Sequence, residues 1–471
     1  MRHTLHLSLE QLDYIHRATL QVLETSGIDF RYPPASELMK KKGFKVNGTK
    51  VYINETQLMD AVVQTPDRYT LKSLTSDQSV SIGQDDYIIT STSGGTFVFD
   101  LEGHRRDATL ADYVSFLRLN HTSDVLQVVS PIIVQPSDLS PDTAHIHMMI
   151  QALCSTDKPC LALAADPREA EASLKLLSWC AGSRGKLESD YYTTFNINVL
   201  SPLGYAPDQV EALMMVAQAN QPMTITNMAM AGSTAPIRIE DAIIMGNAEI
   251  LAGLTLVQAI QPGLPVIYGS TSCAMDMKNM ISTLGSPETL QIQRSVIDLA
   301  RYYHLVCRTG GSLTDSHLPD GRAMSESTLT LENAICHGAH FIMHGCGVMS
   351  SYLGTGFEKW IMDEENCRIL VHSLKPLDFT ASGTDTIINL GSEGGYLVHP
   401  ETYRLCRSHY RSPWKESHTH DKWLASGSAP VTLDAAAAFK QRIGTYERPG
   451  FGNALEKELL HLMGVNPPVT Q

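Results

Sequence analysis

Seven times between Leu126 and Gly345 a short β-prone run gives way to a segment with helical spacing, and no other feature of the 471 residues limits the fold so strongly. The runs lie near Leu126 to Val134, Cys160 to Ala165, Thr194 to Val199, Met223 to Met228, Pro265 to Gly269, Val306 to Gly310 and Phe341 to Gly345. Strands that alternate with helices pair in parallel, because the intervening helix returns the chain to the end from which it started. Seven or eight such units favour a closed barrel over an open doubly wound sheet. Two β-prone runs between Tyr87 and Phe99 flank Ser93-Gly94-Gly95, which reads as a hairpin. The first of them, Tyr87 to Thr92, with the helical Leu110 to Asn120 behind it, supplies the eighth unit. No GxGxxG follows an early strand, so a dinucleotide fold has little support. The expected class is α/β, a (β/α)8 TIM-type barrel.

Punctuation in the sequence sharpens this. Prolines sit near expected first turns at Ser140-Pro141, Asp166-Pro167, Ala206-Pro207, Pro236 before Ile239, and Ser286-Pro287. Ser8 with Gln11 and Asn54 with Gln57 carry the spacing of a capping box, and Gly27 and Gly43 close two early helices. Lys50 to Ile53 reads as an edge strand. Residues 1–75 therefore form an N-terminal helical cap, 76–377 the barrel, and 378–471 a C-terminal extension. Within the extension, Asp378 to Ser428 reads as loops with short helices, followed by helices at Leu433 to Tyr446 and Asn453 to Met463.

A formal charge of -14 argues against a nucleic-acid or anionic-membrane surface, since either needs basic patches. The nine cysteines are scattered and never form CxxC, as expected of reduced, mostly buried thiols. No apolar run long enough to span a bilayer is evident, and Met1 to Gly27 reads as an amphipathic helix rather than a signal peptide. Cytoplasmic residence is the default expectation.

Barrel chemistry collects at the carboxyl ends of strands and in the loops that follow. The polar and aromatic residues there are Asn196, Asn198, Asn227, Tyr268, Arg308, Asp315, His344, Tyr352 and Phe357. Paired acids for a glycosidase and a strand-end lysine for an aldolase are missing from that set. Arg308, in CRTGG, is costly to bury without an anion, so it meets either an internal carboxylate or an anionic ligand group. His344, in MHGCG, taken alone reads as a satisfied core histidine. Together on neighbouring strand ends the two suggest a carboxylate clamp.

His344-Gly-Cys346, His145-x-His147 and His418-x-His420 invite a zinc reading, but none has a third ligand at a diagnostic spacing, so no metal site is assigned. Asp315-Ser-His317-Leu-Pro-Asp320-Gly321 approaches a DxHxxG cobalamin motif with the glycine one residue late. Asp320 as the start of a helix accounts for it.

RTGGSLTDSHLPDGRAMSES from Arg308, HGCG from His344 and LxxIHxxTLxVLExxGI from Leu12 together resemble the trimethylamine methyltransferase (MttB) superfamily, in its betaine branch without pyrrolysine, over essentially the whole chain. That resemblance implies a (β/α)8 enzyme that moves a methyl group from a quaternary amine to the Co(I) corrinoid of a separate protein, giving methyl-Co(III). The substrate implied is a betaine such as glycine betaine, proline betaine, carnitine or γ-butyrobetaine. No tightly bound cofactor of the chain's own is implied, and no catalytic residue is assigned.

A quaternary ammonium already carries the charge that makes a tertiary amine a tolerable leaving group, so no general acid is needed. Such a cation has no N–H donors and suits aromatic faces at roughly 0.5–2 kcal/mol each. Phe97, Tyr268, Tyr352 and Phe357 are the candidates for that cage, with Arg308 and His344 at the carboxylate end and Asn196 and Asn227 at strand ends nearby. By the resemblance, Phe97, Arg308 and His344 contact substrate. The alternatives are a zinc-dependent barrel methyltransferase and a non-catalytic betaine-binding protein. The expected partners are the betaine and the corrinoid protein, and the extra terminal layers could support a homo-oligomer.

Overall fold

The computed structural model describes residues 5–379, 384–414 and 417–468. Six strands form one parallel sheet in the order Ile88–Ile89, Phe341–Met343, Cys307–Gly310, Val266–Ser270, Met223–Asn227 and Phe195–Asn198. Three parallel bridges close the ring: Ala162 with Phe195, Val129 with Cys160, and Thr90 with Val128. Eight positions therefore surround one axis, each followed by a helix or loop on the outside. All eight units expected from the sequence are present.

The sequence alternates inside and outside along these strands, as period-two geometry requires. Ile88, Val128, Leu161, Ile267, Val306, Phe341 and Met343 pack together in the lumen. A hairpin of Arg68–Lys72 and Ser79–Gly83 closes the amino-terminal end, where its Tyr69, Leu71 and Ile82 join that cluster. Tyr69 shares a 3.0 Å hydroxyl contact with Thr194. This hairpin straddles residue 75, the boundary expected between cap and barrel.

The cap differs from the expectation in two respects. It contains a three-stranded antiparallel sheet besides its helices, and Lys50–Tyr52 is the central strand, between Ile28–Asp29 and Lys45–Asn47, not an edge. Both capping boxes form, at Ser8/Gln11 and Asn54/Gln57. The helices Leu9–Thr25 and Glu55–Gln64 lie on the helix Ile239–Ile260. That 22-residue helix is long and apolar enough to cross a membrane, contrary to the reading of the sequence, and 89% of its apolar window is buried in this fold. Sandwiched between barrel and cap, it has no polar face to keep.

The expected hairpin between Tyr87 and Phe99 does not form. Ile88–Ile89 pairs with the barrel strand Phe341–Met343, whereas Phe97–Phe99 joins a separate sheet with Gly354–Gly356, Val348–Met349 and Arg105–Asp107. This second sheet lies past the carboxyl ends of the strands, over the barrel mouth. The two glycines thus carry the chain from barrel to lid rather than back on itself: a Cβ on Gly95 would sit 3.1 Å from Gly354 Cα.

The C-terminal extension begins with the short helices expected, Thr384–Leu390, Pro400–Leu405 and His420–Ala425. It ends with Val431–Thr445 and Gly452–Met463, which pack on Phe357–Ser373 and Ala144–Ser155 respectively. Arg442 pairs with buried Glu364, and Arg448 Nε donates to the Cys154 carbonyl oxygen at 3.1 Å, fastening this layer to the barrel.

Candidate active site

Arg308 follows lumen-facing Val306 by two residues and therefore points inward near the top of the barrel. Its register partner on one side is Gly269, which has no side chain to occupy the space the guanidinium needs. A Cβ there would already meet Thr224 Cγ2 at 2.5 Å. Arg308 is 3% exposed. Nη1 donates to the Ser270 carbonyl oxygen at 3.1 Å and Nη2 to Met343 Sδ at 3.0 Å, while buried Nε has no partner. Among the described residues, no carboxylate forms an ion pair with it. Burial pulls its pKa down to about 10. A positive charge held among neutral groups is costly unless a ligand supplies the counter-charge.

His344 completes the arrangement from the neighbouring strand. Met343 faces the lumen, so simple alternation would turn His344 outward. Its backbone instead adopts φ +61°, a left-handed conformation that ordinary residues avoid, and the ring swings back across the barrel top. Nδ1 accepts from the Ser93 backbone N–H at 3.2 Å and lies 3.4 Å from Thr92 Oγ1. Burial, with the adjacent Arg308 charge, holds this imidazole well below its usual pKa, so the ring is neutral. A neutral ring that accepts at Nδ1 carries its proton on Nε2. Nε2 is the nitrogen that faces Arg308 Nη2, 3.4 Å away. Two donors thus confront each other, and what both lack is a shared acceptor.

Tyr352 covers His344, with ring centroids 4.8 Å apart at 50°. It ends a run of three left-handed residues, Ser350, Ser351 and Tyr352, at φ +51°, +52° and +72°. Such a run persists only where its surroundings dictate it. Ser350 N–H donates to the Ser316 carbonyl at 3.0 Å and Ser351 N–H to that of Thr314 at 3.1 Å. The Ser350 hydroxyl meets His317 Nδ1, and Ser351 Oγ donates to Asp315 Oδ1 at 2.6 Å. Asp315 also accepts from the backbone N–H groups of Leu284 at 2.8 Å and Gly285 at 3.1 Å. The loop after the Arg308 strand therefore shapes the turn that places Tyr352.

The other expected site residues divide. Asn196 faces the mouth, where its Oδ1 accepts from Thr226 Oγ1 at 2.7 Å and its Nδ2 donates to Asn198 Oδ1 at 2.8 Å. Phe97 lies in the lid sheet with the Arg105 guanidinium 4.5 Å from its ring centroid, so one face already holds a cation of this chain. Three residues are away from the clamp. Tyr268 points out of the barrel, where its hydroxyl donates to Asn247 Oδ1 at 2.8 Å. Asn227 faces the same layer and binds Glu249 and Ser272, at 3.3 and 3.2 Å. Phe357 has a ring on each face, Phe116 at 4.0 Å and Phe439 at 5.0 Å, and offers none to a ligand. Met343, the Ser270 carbonyl and the Ser93 N–H escaped the sequence reading. Period two from Phe341 would have found Met343, whereas backbone groups leave no sequence signal.

Asp320 caps the helix Gly321–His337 by accepting from Ala323 N–H at 2.9 Å, the role expected of it. His145 and His147 lie on the helix Ala144–Ser155. Among the described residues, the one group of three close metal-ligating side chains is Asp100, Glu102 and His104, exposed on the turn of the lid sheet. A cavity of about 320 Å³ lies at the opposite end of the barrel, lined by Asp67, Gln84, Asp85, Arg301, His304 and His340. Strand amino-terminal ends are where barrels keep stability rather than chemistry.

The family model described as trimethylamine methyltransferase (MTTB) matches residues 1–464. Glycine betaine methyltransferase of Desulfitobacterium hafniense is 31% identical over 456 residues, covering 96% of this chain and 95% of that protein. Proline betaine:corrinoid methyltransferase of Eubacterium limosum is 31% identical over 414 residues, 85% of each chain, and L-carnitine:corrinoid methyltransferase of the same organism 29% over 412, 84% of each. The crystal structure of the Methanosarcina barkeri monomethylamine methyltransferase superposes with a TM-score of 0.55 at 10% identity, covering 93% of this chain and 89% of that one, which is a likeness of fold.

Proposed function

The chain belongs to the trimethylamine methyltransferase (MTTB) family, and on that premise we propose that it takes a methyl group from a carboxylated quaternary amine, a betaine, and passes it to a corrinoid carried by a separate protein. The observation that carries the substrate half of this reading is the buried Arg308, with no ion-pair partner among the described residues, facing the Nε2–H of a neutral His344. A carboxylate between them accepts from both and supplies the missing charge. Charge-assisted hydrogen bonds of this kind are worth about 1.5–3 kcal/mol each.

With its carboxylate at the clamp, a betaine extends toward the mouth, its trimethylammonium end directed at solvent. Tyr352, the ring that covers His344, is the aromatic face nearest that cation. Departure of a neutral tertiary amine requires no proton, which fits a site whose titratable groups are a buried arginine, a neutral histidine and a tyrosine whose pKa burial raises. The chain's contribution is to aim one methyl out of the barrel and to keep water from competing.

When docked, the partner's corrinoid supplies the nucleophilic cobalt that accepts the methyl group. The residues present fit an acceptor held elsewhere: Nδ1 of His344 is engaged by Ser93 and its Nε2–H faces Arg308, so the clamp has no free imidazole for a metal. Loops following the strands bear exposed Met228, Met277, Met280 and Ile281, an apolar rim suited to a docking protein. Free space beside Met343 is about 30 Å³ and beside Tyr352 about 20 Å³, room for a water but not for a betaine. The turn Ser350–Tyr352 therefore moves aside on substrate entry.

The test mixes enzyme, a reduced corrinoid protein and each of glycine betaine, proline betaine, carnitine and γ-butyrobetaine, and follows corrinoid absorbance. A change that needs both enzyme and one of these betaines is the expected result. Silence across the panel overturns the reading.

A further inference from the structure

Beyond the carboxyl ends of the strands the chain raises a finger, an antiparallel pair of Cys273–Asp276 and Ile281–Thr283 that lies beside Met230–Ala231. Its tip is ordered. The Asp276 carboxylate accepts from the backbone N–H groups of Lys278 at 2.8 Å and Asn279 at 3.2 Å, and from Asn279 Nδ2 at 2.6 Å. On that turn Met277, Met280 and Ile281 are 50, 63 and 51% exposed, with Ile237 at 62% beside them. The patch is continuous, since a Cβ on Gly232 would lie 2.7 Å from Met277 Sδ and 2.9 Å from Ile237 Cδ1. Apolar side chains held out on a shaped turn suit a protein surface better than water.

The root of the finger is built into the site. Cys273 and Leu284 form, with Leu313 and Val348, a small buried cluster separate from the main core, and Tyr352 packs against it. Asp315, 9% exposed, joins the parts. Its Oδ1 accepts from the Leu284 N–H at 2.8 Å and the Ser351 hydroxyl at 2.6 Å, and its Oδ2 from the Gly285 N–H at 3.1 Å. One carboxylate thus holds both the finger root and the turn that carries Tyr352. Glu326 steadies it from behind, accepting from the Asp315 N–H at 2.9 Å and packing on Gly285, where a Cβ would lie 2.5 Å from Glu326 Cδ.

We propose that Asp315 is a positioning residue through which a corrinoid protein, seated on the finger, holds Tyr352 closed over the clamp. The inference rests on the reading above for the identity of the partner. Cobalt has to reach a methyl group aimed out of the barrel mouth, so the protein that carries it lands on the loops past the strands, where the finger tip offers a contiguous apolar patch. Substrate entry swings the turn Ser350–Tyr352 aside, which breaks the Ser351 bond to Asp315. The void of about 20 Å³ lined by Leu284, Leu313 and Tyr352 leaves this small cluster slack, with contacts still to be gained. A protein on the finger fixes Leu284 and Gly285, fixes Asp315 by its two bonds to them, and so favours the state in which Ser351 is bound and Tyr352 is in place. Betaine and corrinoid protein then strengthen each other's binding by the same factor.

Hydrogen exchange on the full chain, with and without the corrinoid protein in its methyl-Co(III) form and with no betaine present, reads this coupling without turnover. In the wild type the amides of 277–285 and of 350–353 should both gain protection on docking, by at least about fivefold. Ser351→Ala keeps both bonds between Asp315 and the finger root, so docking should still protect 277–285 but no longer 350–353. Asp315→Ala should also lose the response at 350–353; if it does not fold, Ser351→Ala carries the test alone. A merely structural role would change 350–353 equally with and without the partner. M277E/M280E should remove the response of both segments. By calorimetry, betaine should bind the wild type at least about fivefold tighter when the corrinoid protein is present, and Ser351→Ala equally well with and without it. A finger that docking leaves unprotected, a wild-type turn that does not respond, or a turn whose response survives Ser351→Ala each overturns the proposal. A silent betaine panel beside an intact coupled response overturns the substrate reading and supports this one.

Discussion

Replacing Arg308 by methionine should stabilise the ligand-free protein while nearly abolishing its activity. The guanidinium is buried, its Nε has no acceptor, and among the described residues no carboxylate pairs with it. Its pKa, brought down to about 10 by desolvation, measures the cost of holding the charge, on the order of 3 kcal/mol at 1.36 kcal/mol per tenfold change in proton affinity. Methionine fills much of the same volume, removes the orphan donor and gives up bonds only to Ser270 O and Met343 Sδ. A gain of about 1–3 kcal/mol in urea-induced unfolding follows, in the manner of other buried charges replaced by apolar side chains. Toward substrate the effect reverses. The carboxylate loses its charge partner, and kcat/KM for a betaine should fall by about 30- to 5,000-fold, from 2–5 kcal/mol for breaking a buried hydrogen-bonded charge pair. A variant destabilised by 3 kcal/mol or more would mean that Arg308 serves an internal counter-charge, and the clamp argument would fail with it.

Other outcomes follow from the same geometry. Ser351→Ala removes the 2.6 Å bond to Asp315 and frees the strained turn beneath Tyr352, so KM should rise about 5- to 30-fold with a smaller change in kcat; equal losses in a substrate lacking the carboxylate would assign Ser351 to folding instead. Because His344 is held neutral, kcat/KM should show no imidazole inflection between about pH 6 and 8. The linked stability runs in a fixed direction: below about pH 6.5 the unfolded chain binds a proton that the folded chain refuses, so His344 lowers stability as pH falls, by at most about 1.4 kcal/mol per pH unit, and His344→Gln should flatten that slope. Phe357→Ala empties a stack of three rings and should cost about 3–5 kcal/mol of stability while leaving the KM of the surviving folded enzyme within about twofold.

The strands were legible because period-two runs bounded by glycine and proline leave little choice of element, and the capping boxes at Ser8 and Asn54 fixed two helix starts to the residue. Direction within a strand was harder to read. Both faces of a barrel strand are buried, so Tyr268 and Ile267 look equally suited to the lumen, and only the register that sets Gly269 beside Arg308 turns Tyr268 outward. Asn227 was misplaced for the same reason. His344 escapes the rule altogether, since its left-handed backbone aims it where alternation would not. Phe357 read as a loop aromatic because its stacking partners, Phe116 and Phe439, are 241 residues before it and 82 after it in sequence. Arg308 was readable as a residue in need of an anion. That the barrel itself supplies none required the structure.

The most direct measurement compares each betaine with the alcohol that replaces its carboxylate, glycine betaine beside choline being the simplest pair, under identical enzyme and corrinoid protein. The cation and its methyl groups are the same in both members, so only the clamp distinguishes them. The betaine is expected to drive the corrinoid absorbance change at least 100-fold faster in kcat/KM, and Arg308→Met should bring the two within tenfold of each other. Comparable rates for betaine and alcohol in the wild-type enzyme would contradict the account.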